Sequence, residues 1–213
     1  MRKSKARGGV AVGIRTHSAH GSEPGGWAAY VVLGGPASEP SILCRGRMQL
    51  CDSKIEGSNQ PFHRVGATFP FHHCAPMDFE SSEAFIDRCT KRSRDLAGRA
   101  LEEIISMHGA VKTCCILTGP ARELPSLRAI LDSHALMHAA EREFFREAVR
   151  DAAMRKGVAT EMVSEKELPT MAKRLPGTEA SRRETFKAFG KQVGSPWAQD
   201  EKLAATAAWL GLA

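Results

Sequence analysis

Two histidines and a glutamate recur at helical spacing in SHALMHAAEREFF, residues 133–145. His134, His138 and Glu141 offer imidazole nitrogens and a carboxylate, ligand types that divalent metals accept. With His134 as origin and about 100° per residue, His138 falls near 40° and Glu141 near −20°. Phe145, Ala148, Val149 and Ala152 follow within about 60° of that line, while Arg142, Arg146, Glu147 and Arg150 fall on the opposite half. The inner stripe therefore starts polar and turns apolar. A buried carboxylate without partners is costly, so partners are required. Three arrangements supply them: a cleft site at the start of the helix, a structural cluster satisfied within itself, or a later helix start that leaves His134 in a loop.

A second polar set lies near the end of the chain. In SPWAQDEKLAATAAWLGL, Leu203, Ala207 and Leu210 form an inner stripe and Asp200 falls close to it in the first turn. An acid there is also favoured by the helix dipole alone. Lys202 is a candidate phosphate contact or plain surface charge. A third set, His63, His72, His73 and Cys74, sits in NQPFHRVGATFPFHHCAP. It has ligand chemistry at a spacing that matches no zinc module, and a loop with incidental histidines is the favoured account of it.

These residues need a scaffold. GVAVGIRTH, GGWAAYVVLGG and SILCRGRMQLC read as three successive strands, the first two joined by a longer hairpin loop. Residues 52–79 lack periodicity and read as an irregular insertion. SSEAFIDRCTKRSRDLAGRALEEIISMHG is a helix with Ser81 or Ser82 as cap and Gly109 as stop. AVKTCCILTG is a buried strand, 126–156 is mostly helix, and VATEMVS is a short strand. Helices near 165–175, 179–192 and 196–211 follow, the last with Ser195 as N-cap and Pro196 at its first position. The order β-β-β-α-β-α-β-α predicts an α/β fold. Its mixed sheet has five strands, an antiparallel meander of three plus two parallel additions, flanked by helices.

The chain has 213 residues and a net charge of +6, with a pI near 9.1. This favours a polyanionic partner, with DNA and RNA both open. Residues 1–8 form a basic N-terminal arm, MRKSKARG, ahead of one domain over 9–213. No apolar run is long enough to span a membrane, and no apolar segment of a signal peptide follows the basic start. Six cysteines without a CxxC pair fit a reducing cytoplasm. Trp197 and Trp209 are core or a homodimer contact.

The strand–helix order, with GVAVGIRTHSAHGSEPGGWAAYVVL and QDEKLAATAAWL, resembles the RNase H-like superfamily, its RuvC-type resolvase branch above all. The resemblance covers about three-quarters of the chain, on topology and two local motifs. It implies carboxylates on the first strand, the fourth strand and the last helix that bind divalent metals and activate water for phosphodiester hydrolysis. Here the first-strand position is Arg15, the fourth strand ends CCILTG without an acid, and Asp200 matches the final acid. Glu141 is then a displaced ligand. Arg15 repels metal but attracts phosphate, and strand alternation puts His17 on its face.

Two function classes follow. The first is a metal-dependent nuclease with a rebuilt site. His138, Glu141 and Asp200 are its catalytic candidates, and His134 joins them as ligands to Mg, Mn or Zn. Arg15, His17 and Lys202 hold phosphate. The second is a catalytically silent module of the same fold that binds nucleic acid or a protein.

Overall fold

Apolar residues fill both alternations of GVAVGI, as a strand buried on two faces requires. In the computed structural model, which describes residues 8–18, 25–66, 77–119 and 123–213, this stretch is the central strand β1 (Gly9–His17). β1 pairs antiparallel with β2 (Trp27–Gly35), and β2 pairs antiparallel with β3 (Ser41–Gln49). On its other side β1 pairs parallel with β4 (Thr113–Thr118), which pairs parallel with β5 (Ala159–Ser164). The order β3-β2-β1-β4-β5 is the expected meander with two parallel additions. The basic arm through Arg7, with His72, His73 and Cys74, lies outside the described residues.

Seven helices are present among the described residues: α1 (Pro61–Val65), α2 (Phe79–His108), α3 (Leu127–Leu131), α4 (His134–Arg155), α5 (Leu168–Met171), α6 (Glu179–Val193) and α7 (Gln199–Leu210). Four boundaries differ from the sequence expectation. The helix expected near 165–175 shrinks to α5 and a 3-10 turn over Ala172–Arg174. Asp78 rather than Ser81 or Ser82 caps α2, its side chain accepting from the Ser81 N–H at 2.7 Å. The helix expected over 126–156 breaks at Asp132 and Ser133, where Ser133 turns extended (φ −135°, ψ 112°) and α4 starts at His134. The last helix starts at Gln199 instead of Pro196, because Glu201 folds back to accept from the Ala198 N–H at 2.9 Å. The aperiodic stretch 52–79 holds one helix, α1, whose Phe62 and Val65 pack with Phe85, Ile86, Met137 and Ala140. No helix among the described residues is long and apolar enough to cross a membrane.

Strand alternation sorts the core into two layers. Val12, Ile14, Cys114 and Ile116 point to one face, where Leu101 and Ile104 of α2 and Phe145 and Val149 of α4 cover them. Val31, Leu33 and Ile42 point to the other, against Ala204, Ala205, Ala208 and Trp209 of α7 and Phe189 of α6. Gly13 belongs to the α7 face. A Cβ there would lie 1.9 Å from the Ala204 carbonyl oxygen and 2.6 Å from the Ala208 nitrogen. Only glycine lets the α7 backbone rest directly on β1. α4 and α7 therefore lie on opposite faces of one sheet.

Candidate functional site

Arg15 and His17 are the last residues of β1 on the α7 face. The Arg15 guanidinium donates from Nε to Glu165 Oε1 at 3.0 Å and from Nη2 to Glu165 Oε2 at 3.1 Å. Its Nη1 donates to Asp200 Oδ1. Glu165 directly follows β5, and its backbone N–H binds the Thr118 carbonyl at 2.8 Å, which fixes the residue at the sheet edge. Asp200 comes from the first turn of α7. Burial opposes the charge of Arg15, but the hydrogen bonds and attraction of Glu165 and Asp200 outweigh it and raise its pKa. His17 Nε2 lies 3.3 Å from Asp200 Oδ2, with its ring stacked on Trp27 at a centroid distance of 3.9 Å. Burial lowers the His17 pKa, with Arg15 and Arg47 adding to that and Asp200 and Glu165 opposing it.

Beside this network a cleft of about 680 Å³ opens at the carboxyl ends of β1 and β4. In parallel-sheet architectures this is where ligands bind. Arg15, His17 and Glu165 line one side, and Arg142, Glu143 and Arg146 of α4 line the other. Arg146, placed outward by helical projection, is only 7% exposed. It pairs with Glu143, and a Cβ at Gly119 would come 3.4 Å from its Nη2. Gly119, directly after β4, thus lies against a side chain that projection alone leaves in water. Arg142 is exposed and makes no ion pair among the described residues.

A separate cluster of side chains forms where α1 meets α4. His134 and His138, one turn apart, have ring centroids 4.4 Å from each other. Those of His63 lie 5.1 and 4.5 Å from them. Glu141 is fully buried. Its Oε1 lies 2.8 Å from His63 Nδ1 and accepts from the His63 backbone N–H at 3.2 Å. The helix begins at His134, so His134 is helical and at the same time exposed.

The structure brings together three of the four residues expected to form one metal site, and separates the fourth. His134, His138 and Glu141 meet around His63, whereas Asp200 pairs with Arg15 and His17. The cause is the layering, since Glu141 rides on α4 and Asp200 on α7, across the sheet. Of the phosphate candidates, Arg15 and His17 border the cleft and Lys202 is exposed on α7. Sequence reasoning missed Glu165, which reads as the start of a helix in SEKELP. It also placed His63 among the incidental residues, although Pro61 at the first position of α1 was a helix-start signal.

No family model matches the sequence, and no curated protein matches it. Solved structures do. The T. thermophilus RuvC in complex with Holliday junction substrate matches with a TM-score of 0.50 at 10% identity, over 95% of this chain and 91% of that one. The Thermus thermophilus RuvC structure matches with a TM-score of 0.48 at 10% identity, over 94% and 92%. The chain has the RNase H-like fold in its RuvC form. The carboxylate-held metals that the resemblance implies do not fit the residues at this edge. The Arg15 guanidinium already engages three of the four oxygens of Glu165 and Asp200, and His17 faces the fourth.

Proposed function

From the RNase H-like fold and its altered edge, we propose that this protein binds nucleic acid in the cleft between β1 and α4 without two-metal hydrolysis. The observation that carries the reading is the Arg15 guanidinium held by Glu165 and Asp200. It offsets one of the two acid charges and engages three of their four oxygens, which leaves few ligand atoms for a bound cation. The phosphate contact falls to Arg142, whose exposed guanidinium offers paired donors to phosphate oxygens. Arg146 stays in the wall with Glu143, and exposed Lys202 adds positive charge on α7. The net charge of +6 supports a polyanionic partner, as does the Holliday junction bound by the T. thermophilus RuvC.

The test is anisotropy with branched, single-stranded and hybrid nucleic acids over a salt series. The logarithm of affinity should fall linearly with the logarithm of salt, and Arg142→Ala should reduce the slope by about one. Mg²⁺ or Mn²⁺ should support no cleavage. No binding at low salt would refute the proposal, and cleavage that Glu165→Gln abolishes would refute its non-catalytic part. The histidine cluster favours a second reading, hydrolysis at a rebuilt single-metal centre. Cleavage lost in Glu141→Gln but kept in Glu165→Gln would establish it.

A further inference from the structure

We propose that His63, His134 and His138 bind one divalent cation of the zinc class, with Glu141 positioning His63. This site stands apart from the cleft and does not depend on nucleic-acid binding. One ligand atom from each imidazole lies within 4.8 Å of the others, the one such trio among the described residues. A tetrahedral zinc with bonds of 2.0–2.1 Å needs nitrogens about 3.4 Å apart. A small closure of the three rings supplies the difference.

The buried carboxylate is the independent observation. Glu141 is wholly buried, and its Oε2 has no hydrogen-bond partner among the described residues. A cluster satisfied within itself would not leave that oxygen bare. On the far side of the imidazole from Glu141, His63 Nε2 is also buried without a hydrogen-bond partner. Carboxylate, imidazole and vacant ring nitrogen are in series, the arrangement by which an outer carboxylate orients a metal-bound histidine. A cation on Nε2 would offset the Glu141 charge through the ring.

The donor set selects the metal. Imidazoles suit zinc, cobalt and nickel, whereas Mg²⁺ and Ca²⁺ require oxygen. Three protein ligands leave a fourth position, and exposed His134 puts it on the solvent side. The metal joins α1, inside the insertion, to the first turns of α4.

The experiment titrates the full chain with Co²⁺, displaces it with Zn²⁺, and measures melting with each metal. One equivalent of Co²⁺ should give tetrahedral visible bands without thiolate charge transfer, and Zn²⁺ but not Mg²⁺ should raise the melting temperature. Glu141→Gln should weaken metal binding about 10–100-fold. His134→Ala alters the exposed first residue of α4, so it should keep the metal-free melting temperature and lose the zinc response. Absence of stoichiometric binding, a thiolate band, or an unchanged site in the His134→Ala, His138→Ala double variant would overturn the assignment.

Discussion

The sheet edge and the histidine cluster solve the same problem in opposite ways. At the edge, two half-buried carboxylates face a guanidinium that uses both Nε and the terminal nitrogens on them. In the cluster, one fully buried carboxylate faces an imidazole and keeps an oxygen unpartnered among the described residues. The edge is built on the central strand and a helix backbone pressed onto it. The cluster is built on a five-residue helix inside an insertion. The edge spends its carboxylate oxygens on a guanidinium, whereas the cluster leaves Glu141 Oε2 without one among the described residues.

The frame is the most sensitive part of this contrast. Gly13→Val would drive side-chain atoms into the α7 main chain and should cost about 3 kcal/mol or more, read by urea denaturation. A loss well below that would mean that α7 shifts easily and that the edge is not rigid. Next comes the balance itself. Arg15→Ala leaves Glu165 and Asp200 facing each other and should cost about 2 kcal/mol, less in high salt, given the partial exposure of the pair. Arg15→Asp instead should create a Mn²⁺ site at the edge, detectable by calorimetry and by melting. No gain in Mn²⁺ affinity would show that the guanidinium is not what excludes metal.

The smallest effect concerns His17. Burial holds its folded pKa below the ordinary 6.5, so on acidification the unfolded chain takes up the proton first. Stability should therefore fall as pH drops through 6.5 and level off below the folded value. His17→Gln should remove that step from denaturation curves at graded pH. A rise in stability on acidification would instead mean that Asp200 dominates and draws His17 into the ion-pair network.

Much of the frame was legible because its signals are periodic. The five strands and the long helix carry apolar repeats, and His134, His138 and Glu141 stood out by breaking one. Asp200 was legible as a first-turn acid, but its partner was not. Which face of a sheet a helix covers depends on crossover geometry, and no residue near Asp200 encodes that. Glu165 was hidden because the residue after a strand gains meaning only from the neighbouring strand end. His63 sits where helix propensity is weak and α1 is held by Phe62 and Val65 against α2 and α4. Arg146 was misplaced because helical projection knows nothing of Gly119, which lies against it at the end of β4.

The contact of α7 on Gly13 fixes the distance between position 15 and Asp200 by main chain alone, so the identity of the side chain at position 15 is decoupled from the geometry around it. A different side chain at position 15 would then meet Asp200 on the same main-chain frame.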